Sequence, residues 1–205
     1  VRVLAEIPAR SSTGLRTGTL RRADVEAYTR LREELLGSRV VLLTGFSGGG
    51  HRETAAGLAA AAAAAGTRTA LLECDLVEPW LADALGLANA PGLHEHLRGS
   101  AEAGEIVKPL VLAGPGSTAA TEPLVCVVAG RPSADGPRLL ASPAMAAAVD
   151  GLRAGYELVV IAAPPLRDER SLSALLGLTD ATIACLEPAE PRKLPITVTG
   201  LVIQG

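Results

Sequence analysis

Residues 40–44, Val-Val-Leu-Leu-Thr, form an unbroken apolar run of the kind that suits a strand covered on both faces. A glycine-rich loop from Gly45 to Gly50 follows at once, and then an alanine-rich helical stretch over about 53–65, closed by Gly66. A buried strand, a glycine turn and a helix in that order admit few folds, because parallel strands need crossovers and helices to cover them. Further strand signals recur at 3–7, 69–72, 158–161, 181–186 and 199–203, while 107–112 and 124–128 read as a strand pair or a strand plus an edge. Helical segments intervene at 24–36, 81–85, 93–97, 145–153 and 171–176. In the first of them Asp24 is the expected cap, and Val25, Tyr28, Leu31 and Leu35 share one face. The alternation predicts an α/β fold: three layers, doubly wound, on a mostly parallel sheet. Residues 1–22 read as an N-terminal strand and a Ser-, Thr-, Gly- and Arg-rich linker, and 23–205 as one globular unit.

Composition removes several classes of function. A net charge of −3 supplies no basic field for a nucleic-acid backbone, so no nucleic-acid partner is expected. Aromatic residues make up 2% of the chain, which leaves few stacking platforms for bases or sugars. Cys74, Cys126 and Cys185 stand singly in apolar stretches without a CxxC spacing, and read as buried free thiols in a reducing compartment. His94 and His96 flank Glu95, but rings two residues apart on a helix face different ways, so surface histidines and no metal site are expected. The longest uncharged small-residue run, 55–66, is too short and too rich in alanine to span a bilayer, and the visible chain reads as soluble. The chain opens on Val1, with no signal peptide, and reads as a piece of something longer.

The glycine loop sits where a phosphate-binding loop belongs, between a core strand and a helix N-terminus. The spacing G-x-x-x-x-G runs intact from Gly45 through Ser47, Gly48 and Gly49 to Gly50. In such a loop, backbone N–H groups close around a phosphate and the helix dipole adds to them. A lysine and then a serine or threonine should follow, the first to clamp the outer phosphates and the second to ligate magnesium. Here His51 and Arg52 follow, with Glu53 behind them. A neutral imidazole cannot supply the lysine's charge, and an arginine repels the metal that a hydroxyl would hold. Arg52 then has two readings: a built-in cation where a metal would sit, or a first-turn residue paired with Glu53 or Asp75.

Several motifs spread over nearly the whole chain resemble the bacterial tyrosine-kinase family of polysaccharide biosynthesis, within the deviant P-loop proteins that include ParA and MinD. Val-Leu-Ala-Glu-Ile-Pro at 3–8 is similar to the segment that opens the family's cytoplasmic domain. Glu-Ala-Tyr-Thr-Arg-Leu-Arg at 26–32 resembles its subunit-contact helix, which makes Glu26, Arg30 and Arg32 candidate oligomer contacts. Leu-Gly-Leu-Ala-Asn-Ala-Pro-Gly-Leu at 85–93, Ala-Gly-Arg-Pro at 129–132, Leu-Leu-Ala-Ser-Pro-Ala-Met at 139–145 and the pair Pro164-Pro165 are similar to further family elements.

The same resemblance locates losses. The family's D-x-D motif aligns with Glu73-Cys74-Asp75, and the aspartate of its third motif, which orients magnesium and water, aligns with Ala162. Its base-side asparagine falls near Gln204. A helix of about 20 residues before the last strand has no room between Glu187 and Thr199, where Pro188, Pro191 and Pro195 would interrupt it. The tyrosine-rich tail has no counterpart. Glu73, Asp75 and Ala162 are therefore vestigial positions with no catalytic residue among them, and the resemblance implies a pseudokinase or pseudo-ATPase. No cofactor is expected beyond metal-independent ATP or ADP in the loop. The implied setting is a scaffold or regulator at the cytoplasmic face of the bacterial inner membrane. Its partner there would be a membrane-embedded polysaccharide co-polymerase module in the same or another chain, and it could form a homo-oligomer. An atypical ATP-binding autokinase or ATPase and a ParA/MinD-like positioning protein are the rival readings.

Overall fold

The computed structural model describes residues 2–7, 22–46, 50–110, 124–190 and 194–204, with the side chains of 22–25 left aside. Eight strands form one sheet: β1 (Val3–Ile7), β2 (Val40–Gly45), β3 (Thr69–Glu73), β4 (Val107–Leu110), β5 (Leu124–Val127), β6 (Leu158–Ala162), β7 (Ala181–Leu186) and β8 (Gly200–Gln204). Their order is β1-β8-β7-β2-β6-β3-β5-β4. Every pairing is parallel except β4 with β5. The α/β doubly wound expectation holds, and the uncertain pair at 107–112 and 124–128 is an antiparallel hairpin edge. β1 pairs with β8, so the N-terminal strand is part of this sheet; residues 8–21, most of the expected linker, lie outside the described residues.

Eight helices are described: α1 (Arg22–Glu34), α2 (Gly50–Ala64), α3 (Leu81–Leu85), α4 (Leu93–Leu97), α5 (Ala103–Ile106), α6 (Gly136–Leu140), α7 (Pro143–Gly155) and α8 (Glu169–Leu176). The period-2 alternation of strand side chains sorts them into two layers. Val41, Leu43, Leu71, Val160, Ile183 and Cys185 face α1, α2 and α3, while Val40, Leu42, Leu72, Val159, Ile161 and Ala184 face α4 to α8. The fully buried runs of β2, β3, β6 and β7 are the core that the apolar patterning announces.

Two helix starts differ from expectation. α1 begins at Arg22, which puts Asp24 inside the first turn and not at its cap, and α2 begins at Gly50, three residues earlier than the alanine run suggests. In α2 the small side chains allow close approach to the sheet, and Ala55, Leu58, Ala59 and Ala62 are wholly buried. Gly57 carries this furthest: a Cβ there would collide with the Tyr28 ring of α1. Between β7 and β8 no helix occurs among the described residues, as the three prolines foretell.

Parallel strands put their C-terminal ends on one edge, and at this edge the chain reverses direction to either side. Gly45, Glu73, Ala162 and Gln204 all close strands there, with Glu73 and Leu43 both in register with Ala162.

Candidate functional site

α2 starts five residues after Gly45 and points its N-terminus at this edge, where the first N–H groups of a helix have no partner within it. Ser47, Gly48 and Gly49 lie outside the described residues. At Gly50 a Cβ would run into the Gln204 side-chain amide, which would have to swing aside. Gln204, the expected base-side residue, donates its Nε2 hydrogens to the Gly50 carbonyl at 2.6 Å and to Thr54 Oγ1 at 2.7 Å. Its amide N–H groups are thus spent on the first turn of α2.

His51 turns inward. It is only 3% exposed, and a Cβ added to Gly45 would stand 3.1 Å from its Nδ1. Neither ring nitrogen has a hydrogen-bond partner. Burial pulls its pKa down to about 4, helped by the Arg52 and Arg167 charges and opposed by the nearby Ala163 backbone. The ring is neutral at physiological pH and supplies no lysine-like clamp.

Arg52 follows the second of its two readings. Its Nη2 sits 2.7 Å from Asp75 Oδ2, with Asp75 almost fully buried and Arg52 22% exposed. The guanidinium also donates to the Glu78 carbonyl at 3.3 Å and lies 3.8 Å from the Glu78 carboxylate, which Arg167 approaches to 3.6 Å from the other side. Asp75 Oδ1 accepts the Glu78 N–H at 2.9 Å, closing the turn after β3. The Arg52 Nε is buried without an acceptor. Glu53, next on the helix, is half-buried, and burial raises its pKa.

Glu73 does different work. Fully buried, it accepts the N–H groups of Trp80 and Leu81 on Oε1, at 2.5 and 3.0 Å, and that of Ala129 on Oε2 at 2.8 Å. It ties the end of β3 to the start of α3 and to the segment beyond β5. Burial raises its pKa against the pull of these three donors, and neighbouring Asp75 adds to the rise. Beyond it, Leu93 and His94 donate their N–H groups to the Val128 and Ala129 carbonyls, so the Pro-Gly-Leu and Ala-Gly-Arg-Pro motifs form one joint. Glu95 locks that joint by accepting from the Gly92 and Arg131 N–H groups at 2.9 and 3.3 Å.

Ala162 packs in the core on the α2 side, fully buried. Of the acids at this edge, Glu73 is a clamp, Asp75 is paired with Arg52, and Glu53 and Glu78 lie beside them; no group of three or more metal-ligating side chains occurs among the described residues. Magnesium, which a P-loop fold implies, does not fit: its hydroxyl ligand is replaced by a cation, and that cation holds the remaining acid.

Other expected residues lie apart. Glu26 and Arg30 are exposed and, with residues 3–6 of β1, line a groove of about 440 Å³. Arg32 turns the other way and donates to Thr67 Oγ1 at 3.0 Å. The three cysteines are free and buried, and burial pushes Cys126 and Cys185 up to about 12. His94 faces Glu95 and accepts from Arg98 Nε, while His96 Nδ1 lies 3.0 Å from the Ala101 carbonyl; both rings are half-buried and engaged locally. Trp80 packs against the core beside α3. Thr54, Glu78 and Arg167 carry no sequence signal that marks them for this edge; only the fold brings them there.

A mostly parallel sheet of this order, with β2 leading into α2 and acids at the neighbouring strand ends, has the P-loop NTPase-like α/β fold that MinD also has. The MinD protein of Pyrococcus horikoshii, solved with Mg-ADP, superposes with a TM-score of 0.54 over 73% of this chain and 58% of that one, at 21% identity. Similarity is greater to the chimerical protein CapA2B2 (TM-score 0.84, 19% identity, all of this chain and 94% of that one) and to the BceF tyrosine kinase domain (0.81, 20%, all and 93%). No family model matches the chain. In sequence it is 30% identical over 164 residues to a Ralstonia solanacearum protein assigned as the tyrosine-protein kinase EpsB, a span of 75% of this chain. The chain spans only 21% of that relative's length. It belongs to the family of bacterial tyrosine-kinase domains.

Proposed function

We propose that this domain transfers no phosphate and serves as a scaffold or regulator for a membrane-associated assembly that makes or exports surface polysaccharide. One observation carries the first half: the Arg52–Asp75 ion pair at 2.7 Å. Phosphoryl transfer depends on a charge clamp, a metal and an acid that orients it. His51 is neutral and buried, Arg52 fills the metal's place beside Asp75, and Ala162 offers no acid. The three losses strike one metal–phosphate unit, so restoring a single residue is not expected to restore activity.

The second half rests on the family and on α1. Glu26 and Arg30 remain at the surface where the family resemblance puts subunit contacts, which favours association with copies of this chain or a membrane-embedded co-polymerase module. No described helix is long and apolar enough to cross a membrane, so such a module would have to be supplied from outside the described residues.

A phosphotransfer assay with radiolabelled ATP, magnesium and manganese tests the first half. No incorporation above a no-enzyme control is expected, and phosphotyrosine on the domain or on an added kinase substrate would defeat it. Co-purification of the domain with the co-polymerase, undiminished in the absence of nucleotide, is the expected result for the second half.

A further inference from the structure

We infer that a second copy of this chain docks across a two-fold axis at the N-terminal ends of the strands. Leu36 of each copy enters a pocket of the other, and Glu33 of each faces Arg39 of the other. This surface lies at the edge of the sheet opposite Gly45, Glu73 and Ala162, and the inference does not rest on the domain being catalytically silent.

The geometry begins where α1 stops. The Leu36 N–H donates to the Glu33 carbonyl at 3.3 Å, which sets the two residues side by side, and Gly37 at φ 95° turns the chain toward β2. Leu36 is left 75% exposed. One leucine at a surface needs no explanation by itself. Here it stands at the lip of a cavity of about 170 Å³. Leu35, Leu58 and Leu158, all buried, supply the apolar lining, while Arg39 and Glu157 are exposed members of it. Arg32 fixes one wall by donating to Thr67 Oγ1 at 3.0 Å, and the Arg68 N–H holds Glu157 Oε2 at 3.0 Å. An apolar cavity of about 150 Å³ takes up a molecule the size of benzene, so this one has room for a leucine side chain.

The charges beside knob and pocket are complementary and unspent. Glu33, exposed next to Leu36, makes no ion pair among the described residues. The Arg39 guanidinium donates to the Arg153 and Tyr156 carbonyls at 2.7 and 3.0 Å, and no carboxylate pairs with it among the described residues. One patch therefore carries an apolar knob with an acid and an apolar pocket with a base. A foreign partner would have to supply the complement of all four, whereas a copy turned by half a revolution supplies them without change. In such a pairing each contact occurs twice, and the assembly closes at two chains. Its contact area is small, so the association belongs to the weak class and shows at high concentration.

The test is sedimentation equilibrium of the purified 205-residue chain from about 1 μM to about 1 mM, the span of weak affinities. A reversible dimer is expected. L36D, E33R and R39E should each weaken it about tenfold or more, through a charge in an apolar pocket or like charges face to face. E33R mixed with R39E should associate again, at twice the mass of one chain, because both cross-pairs are then of opposite sign. That restoration is something a merely structural role for either residue would not produce. Far-UV circular dichroism and a cooperative melt check that each variant folds; if R39E does not, L36D and E33R decide. A chain that stays monomeric throughout overturns the inference. So does a dimer indifferent to all three substitutions, a mixture that stays dissociated, or one that grows beyond two chains.

Discussion

Glu73 has one methylene more than the aspartate that the family resemblance sets at its position, and that length lets it reach three N–H groups on two separate segments. Glu73→Gln must turn an NH2 group toward at least one of these donors. A loss of about 1–3 kcal/mol is expected, from an unmet buried donor facing another, measured as the urea midpoint at constant m. His51 makes a pH prediction. Its pKa is about 4 in the folded chain and about 6.5 unfolded, so the unfolded state binds more protons between these values and stability falls as pH drops through that window. From pH 7 to pH 5 the loss should be about 2 kcal/mol, and His51→Leu should abolish it. Glu73 acts with the opposite sign, since its raised pKa favours the folded state as the medium approaches its unfolded value; the difference between wild type and His51→Leu isolates the histidine. At this scale the sequence was legible for identity and opaque for direction. His51, Arg52 and Ala162 marked the departures from the motifs of the family it resembles, but whether Arg52 met Asp75 or stood free depended on the turn at 75–78, which spacing does not reveal.

Among the elements, α2 is the most constrained, because it is held close to the sheet on one side and to α1 on another. Gly57→Ala would ordinarily favour a helix by about 0.8–1 kcal/mol. Here the added Cβ strikes the Tyr28 ring, so a net destabilisation of about 1–3 kcal/mol is expected, and Gly57→Ala with Tyr28→Leu should recover part of it in chemical denaturation. β6 gives a sharper case. Ala162→Asp restores the acid that the resemblance expects, yet it does so at a fully buried position packed in the core. A cost on the order of 4 kcal/mol is expected from burying or neutralising that carboxylate, with no phosphotransfer gained. Strand positions were readable because buried parallel strands leave continuous apolar runs. Helix starts were not: α2 begins inside the glycine loop, where composition says turn, and α1 begins before the residue that looks like its cap.

Across the whole molecule, the sheet has a protected centre and two edges. β2, β6, β3 and β7 are paired on both sides and covered on both faces, whereas β1 and β4 have one neighbour each. Amide exchange should follow this order, with central strands opening only on global unfolding and β1 and β4 opening at lower free energy. Equal protection of β1 and β2 would contradict it. The fold class was legible because alternating strands and helices leave a single kind of sheet. The strand order and the antiparallel hairpin edge were not, since pairing is non-local and leaves no periodicity behind. One consequence of the Arg52–Asp75 pair belongs to this scale. A bound metal comes and goes by mass action with its free concentration, but a cation carried on the chain is present at an effective concentration that the fold itself sets. The counter-charge of Asp75 is therefore set by the fold and not by a dissolved ion, and chelation is expected to leave this pair untouched.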